Sequence, residues 1–389
     1  MRLKEIPEDF VVYEVADIHP ERGGSYALYR LRKRHLTTWD VLGEIARRLR
    51  LRQDEIGYGG LKDRHAVSHQ FVTIPNGPKR DLHGEGWVLE YLGPVSSPMS
   101  KAKLRGNLFE ITVREPEVSE EELSREVEAV RRFGVPNYFD EQRFGSARRG
   151  RGFAAKEVIL GNYERALYLL LVEGSQYEYR RTEKFRECLR RNWPKVKSCL
   201  KLAPSPWERR LLEFLVIRKP SRRTFKRALG LVDREYLVML AHAYQAYLWN
   251  LILSRYLRHR DLVHFSVPYD LGTFDFYDFL PPEVLEELKT LKLPLPSPKL
   301  RLSPALSPFY EKVLAEEGIS GLAGFRSLIK GLVFKTYPRE AIVFPEDLSF
   351  RLEEDERHAG KKKAVFRYFL PKGSYATLVL KRIFKRGGF

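Results

Sequence analysis

The chain has 389 residues, 43% of them hydrophobic, which suffices for two or three domains with real cores and excludes wholesale disorder. Its 69 Lys and Arg stand against 51 Asp and Glu, and the formal charge of +18 points to a polyanionic partner, either nucleic acid or an anionic membrane surface. The two cysteines, Cys188 and Cys199, have no His pair at ligand spacing, which removes a Cys/His zinc site; a disulfide between them has no secretory signal to motivate it. Met1–Glu5 lacks the apolar stretch of a signal peptide, so a cytoplasmic protein is expected.

Residues 3–34 have strand character. Phe10–Val15 is β-rich, Gly23-Gly24 supplies a turn, and Tyr26–Leu31 alternates, which together predict a hairpin. Thr38 is a candidate cap for a helix running to about Arg50, with Val41, Leu42, Ile45, Ala46 and Leu49 on one face. The stretch GYGGLKDRHAVSHQFVTIP follows (57–75). Its glycines Gly57, Gly59 and Gly60 leave the backbone free to take positive φ, Asp63 stands alone among Lys62, Arg64 and His65, and Phe71–Ile74 read as a strand closed by Pro75. Two more strands are expected over 86–92 and 107–113, the second with Phe109, Ile111 and Val113 on one face.

Ser119 with Glu122 forms a capping box, Leu123, Val127 and Val130 make the apolar stripe behind it, and Gly134 stops the helix. The next loop, VPNYFDEQRFG, packs rings, an amide and an arginine into eleven residues without periodicity, and Arg148, Arg149 and Arg151 continue it as a basic arm. From about residue 160 the pattern turns helical and basic. Residues 179–201 carry nine Lys or Arg against two acids, and Arg218–Arg227 carries six in ten with no acid, a phosphate-tracking surface in which Arg222 and Arg223 are candidate contacts. Tyr236–Leu253 has no charged residue, but its Gln245, Asn250 and tyrosines suit a buried helix of the core and not a membrane span. Residues 262–310 are expected to be loop-rich, with Pro294, Pro296 and Pro298 as spacers. Strand character returns over 340–344 and 364–370, separated by an acidic stretch at 347–357, and a short helix closes the chain. This order is that of an α+β sheet domain interrupted by a mostly helical insertion.

No metal cluster stands out: His65 and His69 lead into a strand and no Glu completes a zincin motif. No nucleophile elbow, CxxC pair or dinucleotide fingerprint is present. What remains is a lone carboxylate, Asp63, on a glycine-rich loop, with ring-bearing loops and a basic body. A single aspartate serves as nucleophile or general base, and nearby positive charge favours its ionised form. In an extended backbone Lys62 and Arg64 point away from it, so its partner is to be sought elsewhere in the chain. An enzyme acting on one RNA base must extrude it, and Phe10, Phe139 or Tyr375 could hold the flipped ring.

In order, LKEIPEDFVVYE, GGLKDRHAVSHQ, RGNLFEITVRE, GVPNYFDEQRFG, AYQAYLWN, REAIVFPEDL and LPKGSYATLVLKR resemble the successive motifs of the TruD family of pseudouridine synthases, from Leu3 to about Arg382. The resemblance implies a pseudouridine-synthase α+β domain with a mixed or antiparallel sheet over 1–160 and 340–389, interrupted by a family-specific insertion over 161–339. It implies isomerisation of uridine in RNA, most similarly uridine 13 of tRNA, with no cofactor and no metal. Asp63 falls on the catalytic aspartate. Phe10, Asn137, Phe139 and Tyr375 fall on substrate contacts, and Lys4 on a basic position near the active site. Arg143, Arg148, Arg149, Arg151, Arg222 and Arg223 are weaker RNA-contact candidates. Asp140 departs from the glycine common at its position, and the insertion is longer and more basic than in compact bacterial members. A monomer, no membrane and an RNA partner are expected. The alternatives are a non-catalytic basic RNA-binding protein, or a pseudouridine synthase with another RNA target.

Overall fold

The computed structural model describes residues 1–147, 152–173, 180–326 and 329–387. The chain divides into two compact units, Met1–Val135 with Val343–Phe389, and Pro136–Ile342. The first crossing follows Val135, one residue past Gly134, which ends its helix at φ 68°, and lies about twenty-five residues before the change in composition at 160.

In the first unit, strands β1 (Arg2–Leu3), β2 (Phe10–Ala16), β3 (Tyr26–Arg34), β4 (Gly57–Tyr58), β5 (Val67–Pro75), β6 (Leu82–Gly84), β7 (Trp87–Val95) and β8 (Leu104–Arg114) join a C-terminal hairpin, Glu346–Glu354 and Lys362–Pro371. The order across the sheet is hairpin, β8, β2, β5, β3, β7, β6, with β1 on β8 and β4 on β5. The β2–β5 pair is parallel, with Val11 opposite Val67, whereas the flanking pairs are antiparallel. The expected hairpin of β2 with β3 is therefore replaced by an inserted β5, a long-range pairing that no local pattern announces. The acidic stretch after residue 346 is likewise a strand, pairing Phe350 with Phe366.

Helix α1 (Thr38–Leu49) buries Val41, Leu42, Ile45 and Ala46 against Tyr29, Leu31, Val72 and Leu89. Its cap is Thr37, which accepts from the Asp40 amide, and Thr38 lies inside. Helix α2 (Glu120–Phe133) is capped as expected by the Ser119–Glu122 box, and its Leu123, Val127 and Val130 pack with the C-terminal helix Ala376–Phe384 over Phe109, Ile111 and Phe366. Full burial of each such side chain stabilises by roughly 1.5–3 kcal/mol.

The second unit is mostly helical. Its longest helix, Arg234–His259, contains the charge-free stretch, whose buried donors reach backbone carbonyls: Gln245 donates to Pro296 and Lys335, Trp249 to Leu293, and Asn250 to Phe139. Residues 262–310 carry more structure than their prolines suggest, with a hairpin (Phe265–Tyr269, Gly272–Phe276) and helices Pro282–Thr290 and Ser307–Glu316. Cys188 and Cys199 form a disulfide, the helix Arg180–Asn192 and the following helical turn bringing their Cα atoms to 5.7 Å. Among the described residues no helix is long and apolar enough to cross a membrane.

Candidate active site

Because β2 and β5 run parallel, their N-terminal ends lie at the same end of the sheet's strands. Phe10 opens β2, and Asp63 lies just before β5, so residues far apart in sequence meet there. The Lys4 ammonium donates to Asp63 Oδ2 at 3.1 Å and sits 4.1 Å over the Phe10 ring. Lys4 adopts φ 56°, a left-handed conformation that turns its side chain out of the line of β1. Asp63 keeps 43% of its side chain exposed and Lys4 25%, so the pair is open to a ligand. The Phe10 ring is buried edge-on to Phe109 at 6.0 Å.

The loop that carries Asp63 is pinned through its backbone. Lys33, fully buried, donates to the Asp63 carbonyl at 2.8 Å and to Leu36 at 2.7 Å. Thr38 accepts from the Lys62 amide at 3.0 Å and donates to Gln70, whose amide donates to the Gly60 carbonyl. Lys62 turns away from Asp63: its ammonium donates to Asn107 at 2.6 Å and stands 3.2 Å from Glu14 as an ion pair without hydrogen-bond alignment. The glycines do not serve by positive φ, since none of Gly57, Gly59 and Gly60 adopts it. Gly57 and Gly59 serve by close approach: a Cβ at Gly59 would lie 2.7 Å from Glu14 Oε1, and one at Gly57 2.4 Å from Thr73 Oγ1, whereas Gly60 has open space around it. His65 lies edge-on to His35 at 5.0 Å, and its pKa is lowered by burial and by His35. His69 stacks on Tyr13 at 4.5 Å.

Burial lowers the Lys33 pKa to about 8, against the pull of the negative Asp63 and with Lys62 adding to the fall. Below that pH the folded and unfolded chains both hold the proton. Between about 8 and the ordinary lysine value of about 10.4, only the unfolded chain keeps it fully, so this group's contribution to stability rises with pH. The melting temperature of the wild type relative to Lys33→Met is expected to rise between pH 8 and about pH 10; a difference that stays flat across that range contradicts the assignment.

The segment leading to Phe10 is fastened from the other side. Asp9 accepts the Glu5 and Ile6 amides at 3.0 and 3.2 Å, which closes the turn between Lys4 and Phe10. Asp9 is in turn held bidentately by Arg114, buried to 2% exposure, which also binds Asp355 at 2.5 Å and Glu356 at 2.9 Å. Burial acts against the Arg114 charge, but Asp9 and Glu356 more than offset it and hold its pKa above the ordinary arginine value.

Tyr375 is half-buried at the N-cap of Ala376–Phe384. It follows Pro371, which pairs with Gly106 of β8, next to the Asn107 that binds Lys62.

Asn137 and Phe139 belong to the second unit and are buried there. Asn137 donates to the Glu340 carbonyl at 3.2 Å, and Arg339 donates to Asn137 Oδ1 at 2.8 Å. The Arg339 guanidinium lies 4.0 Å over the Phe139 ring, and Asn250 brackets the Phe139 backbone through its amide and carbonyl. Asp140 accepts from the Glu141 amide and, through its carbonyl, from Arg143. Arg143 is half-buried with its guanidinium 3.2 Å from His242. Arg222 and Arg223 are exposed on one helix, whereas Arg148, Arg149 and Arg151 lie outside the described residues.

Sequence reasoning missed Lys33, Arg114, Asn250 and Arg339. Arg114, Asn250 and Arg339 all lie inside the family motifs given above. Lys33 is hidden in the run Arg30–Arg34, which reads as a solvated charge cluster.

An accessible carboxylate paired with one ammonium, beside a ring and on a backbone-pinned loop, is suited to attack or proton abstraction on a neutral, flat substrate. Residues 1–383 match the family described as tRNA pseudouridine synthase D (TruD). The chain belongs to the TruD family. Among its relatives, the "Probable tRNA pseudouridine synthase D 1" of Methanococcus maripaludis is 32% identical over 99% of both chains, and the tRNA pseudouridine synthase D of Aquifex aeolicus is 29% identical over 99% of this chain and 98% of its own. A crystal structure of a TruD protein from Methanosarcina mazei superposes with a TM-score of 0.72 at 28% identity, covering 98% of this chain and 93% of that one. By this membership the chain is an enzyme, an RNA pseudouridine synthase of the isomerase class.

Proposed function

We propose that this TruD-family chain converts uridine 13 of tRNA to pseudouridine, with Asp63 as the catalytic residue and the base flipped out of its stack. The observation that carries the reading is the Lys4–Asp63 contact: an exposed carboxylate paired with an ammonium that itself lies over the Phe10 ring. Pseudouridine formation breaks the N1–C1′ bond of uridine and joins C5 to C1′, the proton lost from C5 being matched by one gained at N1, so the reaction is balanced without a co-reactant. Attack on the sugar, attack on the base and proton abstraction from the sugar each begin from an ionised carboxylate. Phe10 and Tyr375 bear on the substrate from the first unit. Asn137 and Phe139, the other substrate positions that the family resemblance implies, are held within the second unit by Arg339 and Asn250. The surplus of basic charge binds the RNA backbone, making affinity fall steeply with salt. A monomer working in the cytoplasm fits this reading.

The test uses two tRNA transcripts, one natural and one with cytidine at position 13. The natural transcript is expected to gain one pseudouridine and the substituted one none. Equal pseudouridine in both would remove position 13 as the target, and none in either would favour a non-catalytic RNA-binding protein.

A further inference from the structure

The second unit holds a cavity of about 600 Å³ that the catalytic reading does not use, lined among others by Tyr163, Glu164, Tyr168, Trp193, Arg222 and Phe225. Its walls alternate rings and cations. Trp193 stacks on Phe225 at 6.3 Å with 21° between planes and meets Tyr168 edge-on at 5.8 Å. Arg222 lies 5.1 Å over Tyr163, and Arg165 5.4 Å over Tyr168. Glu164 is the carboxylate of this lining, and it accepts from the Trp193 indole at 3.3 Å.

We infer that this cavity is a second nucleotide site, which takes one unpaired base of an RNA with its phosphate. The chemistry is that of single-strand recognition: a flat ring stacks on aromatic side chains, and arginines at the rim meet the phosphate. The volume is that of a small-molecule pocket and has room for a nucleotide. Of the two arginines that the basic run singled out, Arg222 lines the cavity and also donates to the Gly161 carbonyl at 3.3 Å, which fixes its guanidinium at the rim. Glu164 accepts from an exocyclic amino group, so adenine, cytosine and guanine, which each carry one, are preferred over uracil, which has none. The site therefore does not compete for the target uridine. It holds a different nucleotide, and the inference deepens the proposed RNA function by giving the insertion a reading contact in addition to its charge.

The experiment uses the full chain carrying Asp63→Asn, so that no turnover intrudes. AMP, CMP, UMP and inorganic phosphate are titrated while tryptophan emission is followed, with Trp193→Phe as control. AMP and CMP are expected to quench emission more than UMP, phosphate not at all, and Trp193→Phe to remove the quench. Arg222→Ala and Arg165→Ala, both exposed changes, are each expected to weaken tRNA binding about tenfold. Absence of a Trp193-dependent quench, with tRNA binding by both arginine variants equal to the parent, overturns the inference. The wild type's turnover separates the two proposals: if it forms pseudouridine while the pocket tests fail, only the pocket falls. If it forms none while the nucleotide quench is present, the functional reading falls and the nucleotide site stands.

Discussion

Asp63→Asn is expected to lower the rate of pseudouridine formation by about 10⁴-fold or more while leaving tRNA affinity within about twofold. The amide keeps the shape of the carboxylate but neither attacks carbon nor takes a proton at neutral pH. It still accepts from Lys4, and the anchors of the loop do not involve the side chain: Lys33 binds the Asp63 carbonyl, Thr38 the Lys62 amide and Gln70 the Gly60 carbonyl. The loop therefore stays in place and the defect is chemical. Single-turnover kinetics with enzyme in excess separate that step from binding and release. A single-turnover rate within about tenfold of wild type contradicts the assignment of Asp63.

Arg114→Met is expected to give the largest loss of stability, about 3–5 kcal/mol, because it leaves buried carboxylates without their cation. Asp9 and Asp355 are 1% and 5% exposed, and both rely on this guanidinium. Methionine fills much of the volume but satisfies neither acid. Arg114→Lys restores the charge without the fork that grips Asp9 bidentately while reaching Asp355, so it should recover only part of the loss. Urea unfolding checks the magnitude, and a change below about 1 kcal/mol contradicts it. Activity should fall as well in the fraction still folded, since Asp9 closes the turn that carries Lys4 and Phe10. The network is thus a physical link from the C-terminal hairpin to the candidate catalytic pair.

The parts of this site that were legible in the sequence are those whose signals are local or carried by motif order. The Ser119–Glu122 capping box, the stripe of α2 and the Gly134 stop are short-range features, and each appears where its residues place it. Asp63 stood out as a lone acid on a glycine-rich loop. Lys4, however, is 59 residues away, and no periodicity joins the two; only the order of the motifs did. The β2–β3 hairpin was misread because the strand between them arrives 33 residues after β3 ends and pairs in parallel, a tertiary preference that neither turn composition nor alternation records. Thr37 and Thr38 are equally good caps in isolation. Thr38 is drawn inside the helix, where its hydroxyl serves Lys62 and Gln70. Lys33 shows the limit most clearly, since a buried amine between Arg32 and Arg34 has the composition of a solvated edge. Its burial is decided by the carbonyls of Leu36 and Asp63 that close over it. None of the loop's glycines bends the chain through positive φ; Gly57 and Gly59 instead admit Glu14, Met99 and Thr73 at close range.

The central claim is that Asp63 isomerises uridine 13, and its most direct test is nucleotide-resolution mapping of pseudouridine in an unmodified tRNA after incubation with wild type and, in parallel, with Asp63→Asn. The account predicts a single new pseudouridine at position 13 with wild type and none with the variant. Pseudouridine produced by the Asp63→Asn protein at a near-normal rate, or modification by wild type at another position only, would contradict it.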